Sequence, residues 1–180
     1  GALSYYPAAG VSARTEGAGP LTLDGQRHVE QRAPAEAATI RWVRGNVPRD
    51  AVVVEAAEVP CGDASGGCSD WTDVGRIAGS TGRATIIGWE QHERQWRAAK
   101  GVVSGRRADV RDIYETLDLD RAAELLRTYD ADYIVIGPRE RWAYGDAGLA
   151  KFAQLGTPVY PEDGTGDFVV YRLLLGARGS

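Results

Sequence analysis

At 180 residues, with 43% hydrophobic and 26% charged side chains, the chain has the composition of an ordinary globular protein with room for one substantial core. A formal net charge of -4 excludes a general electrostatic grip on nucleic acid, which needs a dense basic face, so nucleic acid is not an expected partner. No stretch reaches the roughly 18 consecutive apolar residues of a membrane-spanning helix, and the start carries no signal-peptide pattern. The absence of methionine, the start at Gly1 and the end at Gly179-Ser180 read as a piece excised from a longer protein.

Residues 1–32 are rich in Gly, Ala, Pro and Ser and follow neither helical nor strand period, so they read as an irregular N-terminal arm. A single α/β domain over 33–176 and a short tail at 177–180 follow. Pro34 suits a first helical turn, and Ala37, Ile40 and Val43, with Ala38 and Trp42, fall at helical spacing. This predicts a helix over 34–45 that ends near Gly45-Asn46, ahead of Pro48. The β-branched run AVVVEAA at 51–57 predicts a buried strand closed by Glu55.

Cys61 and Cys68 follow in CGDASGGC, a loop small enough to curl into a ring. A disulfide is favoured over two free thiols, and it implies an oxidising, extracytoplasmic compartment. Neither His28 nor His92 has ligand spacing to the cysteines, so no metal site is expected. Residues 72–80 predict a short helix capped by Thr72 or Asp73, residues 84–88 a second strand, and residues 90–99 a helix or helical turn at that strand's exit. Helical periodicity returns over 109–115 and 119–129, the second with Asp118 or Asp120 to cap it. YIVIG at 133–137 is the clearest strand, and the helix before it makes the αβ half of a βαβ unit. An amphipathic helix over 146–155 and a hairpin from 159–160 through a Gly-rich turn to 168–175 complete the chain. The fold class is therefore α/β: a mixed sheet of about four or five strands, parallel in the centre with an antiparallel C-terminal hairpin, and helices packed on the sheet.

Ligands of open α/β sheets sit beyond the carboxyl ends of the strands. If the second and third predicted strands run parallel, His92, Glu93, Gln95, Trp96 and Arg97 converge with Arg139, Glu140 and Arg141 on one rim. Indole planes amid Glu, Gln, His and Arg suit a sugar, whose C–H faces stack on rings while its hydroxyls need polar partners. The plainer alternative makes Trp89 and Trp96 core residues and the charged groups ordinary surface ions. No phosphate-binding loop or dinucleotide fingerprint is present, position 96 is Trp where H-E-x-x-H needs His, and no serine has a nucleophile-elbow context. No catalytic residue, cofactor or metal is therefore predicted within this chain.

The segment TGRATIIGWEQHERQWR at 81–97 resembles the Thr-Gly-x-Pro-Thr-x-x-Gly-Trp-x-x-His-Glu-x-Gln-Trp-Arg pattern of the YYY family. These are multi-spanning membrane proteins regarded as similar to glycosyltransferases of the GT-C class that use lipid-linked sugars. Glu55-Ala56, Val74 to Ala78 (VGRIA), Leu21 to Gly25, Arg107 to Tyr114 and YIVIGPRERWAYG at 133–145 extend the resemblance over most of the chain. Val74 and Ala78 stand where the family's Tyr-Gly-Arg-Val/Ile-Ser segment has Tyr and Ser, Ala84 stands where the longer pattern has Pro, and the cysteine loop looks like an insertion or specialisation.

The resemblance implies that the parent is an integral membrane protein and that this piece is its extracytoplasmic domain at the cell membrane. The catalytic acid of such enzymes lies in a loop between membrane helices, outside this piece. The domain would contribute sugar or acceptor recognition through Glu55, Arg76, Trp89, His92, Glu93, Gln95, Trp96 and Arg97, with Arg139 and Arg141 on the same rim. Its partners would be the parent's membrane helices and a lipid-linked sugar or acceptor. The alternative is a non-catalytic structural or protein-interaction domain. The cysteine reading is checked by thiol titration under denaturing conditions: no reactive thiol is expected before reduction and two after it, and two before reduction would remove the compartment argument.

Overall fold

The computed structural model describes residues 25–58, 74–96 and 100–175. Four strands form one sheet in the order β1-β2-β4-β3, where β1 is Val52–Val54, β2 Ala131–Ile136, β3 Gly156–Tyr160 and β4 Val169–Leu173. β1 and β2 run parallel, whereas β4 is antiparallel to both β2 and β3. This is the mixed α/β sheet expected from the alternation of apolar runs and amphipathic stripes.

Both faces of the sheet are covered, which is why its strands read as nearly continuous apolar runs. On one face α1 (Gly25–Arg32), α2 (Pro34–Asn46) and α3 (Arg76–Thr81) lie over Val53, Val135 and Val170, and Ile40, Val43 and Ile77 fill the layer. On the other face Val54, Ile134 and Ile136 meet side chains of α5 (Lys100–Glu115) and α6 (Leu119–Thr128), notably Ile113, Tyr114, Leu125 and Leu126. The phenol of Tyr114 is fully buried, donates to the carbonyl of Val135 at 3.0 Å and stacks on the Tyr144 ring at 4.7 Å.

The structure departs from the sequence-based expectations at several points. The residues of the predicted arm that can be described form α1, a helix with no clear apolar stripe of its own that lies against α2. The segment 84–88 is not a strand. Only Ala84 bridges, to Val52, and residues 85–88 pair with no strand among the described residues. Arg83 stands just before this segment. Its buried guanidinium donates to the carbonyls of Arg44, Val47 and Thr81, closing the C-terminal ends of α2 and α3.

α4 (Glu90–Trp96) starts where expected, and α5 begins nine residues earlier than the 109–115 stripe suggested. The helix predicted over 146–155 is a 3-10 turn, Leu149–Lys151, followed by the short α8, Phe152–Leu155. A helix missed by the sequence reading, α7 (Pro138–Tyr144), follows β2 directly. Asp118 does cap α6, accepting from the amides of Asp120 and Arg121. The cysteine pair, Thr72 and Asp73 lie outside the described residues.

Lys151 is buried beneath the end of α5, where its ammonium donates to the carbonyls of Tyr114 (2.7 Å) and Gly148 (2.6 Å) and sits 4.5 Å from the centre of the Phe152 ring. Burial pulls its pKa down from the ordinary 10.5 to about 8. Between those two values the unfolded chain binds the extra proton, so stability is expected to rise with pH by up to ~1.4 kcal/mol per pH unit. Urea denaturation at intervals from pH 7.5 to 9.5 checks this: the slope should vanish in Lys151→Met, and a slope shared by both proteins would refute the assignment.

Candidate functional site

Beyond the carboxyl ends of β1 and β2 lies a closed ionic hub built on Arg76. Gly75, at φ +74°, turns the chain into α3 and delivers the Arg76 side chain inward, where only 6% of it remains exposed. Three carboxylates surround it. Nη1 faces Glu55 Oε2 at 3.4 Å, Nη2 lies 3.2 Å from Glu140 Oε1 and 3.3 Å from its Oε2, and Nε is in ionic contact with Glu36. Arg139 reaches the second oxygen of Glu36 at 3.2 Å.

The carboxylates also hold backbone. Glu55 accepts from the amides of Ile77 (3.0 Å) and Ala78 (2.9 Å), satisfying the first turn of α3 from a neighbouring strand end. Glu140 accepts from Ala56 and, at the start of its own helix, from Gly137, both at 2.9 Å. A Cβ at Gly137 would come within 2.4 Å of the Phe168 ring, so any larger residue there has to displace that ring. Burial raises the pKa of Glu55 despite Arg76 and the two amides, whereas for Arg76 the three carboxylates outweigh burial and hold its pKa above the ordinary arginine value.

A second network adjoins it. Glu58, four residues after the end of β1, is nearly buried and receives Arg107 at 2.8 Å and both Nε and Nη2 of Arg111. Burial would raise its pKa, but these two guanidiniums more than compensate and hold it below the ordinary carboxylate value. Arg107 continues to Glu90 at 3.0 Å, tying the start of α4 to α5.

The predicted site residues therefore separate into groups. Glu55, Arg76 and Arg139 come together in the hub. Trp89, His92 and Glu93 adjoin it through Gly75, which packs against Gly88: Trp89 Nε1 donates to the Val74 carbonyl at 3.1 Å, His92 meets the Trp89 ring edge-on at 5.0 Å, and Glu93 accepts from the Gly88 amide at 2.7 Å. Gln95 is exposed and Trp96 is 83% exposed, so Trp96 is not a core residue. Arg141 stands apart in an exposed pair with Asp146 at 2.9 Å, and Arg97 lies outside the described residues.

Sequence reasoning missed Glu36 as a site residue. Its signal was present: it lies at helical spacing to Ile40 and Val43, so a carboxylate sits on the buried stripe of α2 and needs a buried partner. Glu58 with Arg107 and Arg111 had only the i,i+4 spacing of the two arginines to announce it.

Among the described residues no three His, Cys, Asp or Glu side chains are grouped to hold a metal ion, and no helix is long and apolar enough to cross a membrane. The hub carboxylates are committed to guanidinium and amide groups, which suits holding a rim in place and not proton transfer to a substrate. Against known proteins, the chain matches no family model and no curated sequence.

Removing Arg76 leaves the buried Glu55 and Glu140 without a counter-ion and Glu36 with Arg139 alone. Arg76→Met is expected to cost about 3–5 kcal/mol. Burial already raises the pKa of Glu55, and without Arg76 nothing of opposite charge opposes that rise, so the folded variant binds the extra proton and its stability is expected to fall as pH rises from 5 to 7. Urea midpoints across that range check it, and a variant within about 1 kcal/mol of the parent at pH 7 would remove the hub from its structural role.

Proposed function

We infer that this chain is the extracytoplasmic domain of a membrane glycosyltransferase-like protein, contributing sugar or acceptor recognition to a site completed by the parent's membrane helices. The observation that carries this reading is Trp96, an indole 83% exposed at the end of α4, one turn beyond His92 and beside a rim held rigid by buried ion pairs. The flat face of an exposed indole is the surface on which a sugar's C–H groups stack. The resemblance of residues 81–97 to the YYY-family pattern supplies the membrane context and the GT-C-like chemistry. Reaction chemistry would belong to the parent, with acceptor or donor positioned against this rim.

A second reading, a non-catalytic structural or interaction domain, is favoured by one specific feature. Glu55 and Arg76 are spent on each other and on the amides of α3, so they serve the architecture before any ligand. Under that reading Trp96 docks against the parent's own membrane helices or another protein.

Ligand-observed NMR and isothermal titration against sugars and acceptor peptides separate the two. Trp96→Ala and His92→Ala are expected to weaken binding about tenfold or more, the loss of one ring stack or one hydrogen bond. Binding that survives both substitutions would refute the site.

A further inference from the structure

The outer face of α1 and α2 carries a charge unlike that of the rest of the molecule. Residues 25–49 hold five arginines (Arg27, Arg32, Arg41, Arg44 and Arg49), every one exposed, and two glutamates, of which Glu36 is buried in the hub. In a chain whose net charge is -4, the remaining surface is therefore acidic. Packing gathers three of these arginines. Gln26 Nε2 meets the Ser80 hydroxyl at 3.2 Å and Arg44 Nη2 donates to the Ser80 carbonyl at 2.6 Å, so the start of α1 lies beside the end of α2. Arg41 pairs with Glu30 at 2.5 Å, which fixes the two helices as antiparallel neighbours. Arg27 is one turn from Glu30 and Arg44 one turn from Arg41, so Arg27, Arg41 and Arg44 share a surface with Glu30 among them.

An aromatic pair borders this surface. Trp42, next to Arg41 on α2, stacks on Tyr160 at the end of β3 with ring centres 5.4 Å apart, and both residues are half-buried. Such rings combine an apolar body with a polar tip, the combination that settles at the boundary between lipid headgroups and water. A planar guanidinium takes two phosphate oxygens at once. Arginines spread along two antiparallel helices match phosphates presented over a broad plane better than a single phosphate in a pocket, and the flanking aromatics match the headgroup layer of such a plane. The acidity of the other surfaces turns them away from an anionic plane, so the same charge asymmetry that attracts the face also orients the molecule.

We propose that the α1–α2 face rests on an anionic lipid surface, with its arginines against the phosphates and the Trp42–Tyr160 stack at headgroup level. This rests on the reading of the domain as part of a membrane protein, but not on sugar recognition, and it uses none of the residues of the Trp96 rim.

The test sediments the 180-residue chain with vesicles of phosphatidylcholine alone and with vesicles of phosphatidylcholine and phosphatidylglycerol in equal parts, at ~0.1 M and ~1 M salt. Partitioning is expected onto the mixed vesicles at the lower salt and is expected to be lost at the higher salt and on phosphatidylcholine alone. Arg27→Gln combined with Arg49→Gln, which leaves the Glu30 pair and the Ser80 contacts in place, is expected to lower partitioning about tenfold or more. The charge-matched pair Arg121→Gln with Arg127→Gln, on α6 across the sheet, is expected to leave it unchanged, as is Trp96→Ala. Equal loss in the two arginine pairs, equal partitioning onto the two kinds of vesicle, or no partitioning at the lower salt overturns the proposal. Loss in Trp96→Ala with none in Arg27→Gln/Arg49→Gln also overturns it, because the rim and not this face would then sit on the lipid. Single-stranded polyuridylate is expected to bind more weakly than the mixed vesicles, and the reverse order overturns the proposal in favour of nucleic acid. Vesicle partitioning and glycoside binding are read separately, so failure of the lipid face leaves the Trp96 rim standing, and failure of the rim leaves the lipid face standing.

Discussion

The molecule depends on burying one arginine among three glutamates. Arg76 meets Glu36 from α2, Glu55 from the end of β1 and Glu140 from the start of α7, so a single guanidinium links four segments distant in sequence. Pairs of this kind cost much of their Coulomb gain in desolvation, and hydrophobic replacements of matching shape can be as stable. What the hub offers over a greasy plug is direction. Glu55 and Glu140 also accept specific backbone amides, at Ile77 and Ala78 and at Ala56 and Gly137, while Glu36 takes Arg139 as a second partner, and a misregistered segment would leave several buried charges unanswered at once.

Arg83 and Lys151 repeat the principle on a smaller scale. Both are buried cations satisfied mainly by carbonyls at or near helix C-terminal ends, where the helix dipole favours positive charge. Arg83 draws α2 and α3 together, and Lys151 holds the 3-10 turn against the end of α5. With the Glu58 and Glu90 network on α5, charged groups are concentrated around the ends of the parallel strands while the two faces of the sheet stay apolar. Among the described residues the carboxyl-end rim is therefore polar and largely self-satisfied, with the Trp96 indole exposed at the end of α4.

That division bears on function. A residue inside a closed network does little for a ligand unless the network leaves an atom unsatisfied, and a residue projecting from the rim does little for the fold. Glu55 belongs to the first kind and Trp96 to the second, although both were legible in the sequence only as members of one cluster. Glu36 and Arg76 belong with Glu55, paired with each other inside the hub. The recognition reading of the rim rests on the exposed aromatic face of Trp96.

By itself, the sequence determined the fold class, because the apolar run of β2, the stripe of α2 and the glycine-rich hairpin turn are local patterns set by the two-residue and 3.6-residue periods of strand and helix. It also marked the residues beyond the strand ends as candidates, since polar and aromatic groups crowd there. Only the tertiary structure decided that 84–88 leaves the sheet, that α7 follows β2 at once, and that Trp96 projects while Trp89 is tied to the Val74 carbonyl. It alone joined Glu36 to Arg76 and the amide of Ala56 to Glu140, 84 residues away. Such contacts have no period, and a glutamate that will be buried beside an arginine has the same letter as one that will face water; burial, fixed by the packing of the whole chain, makes the difference.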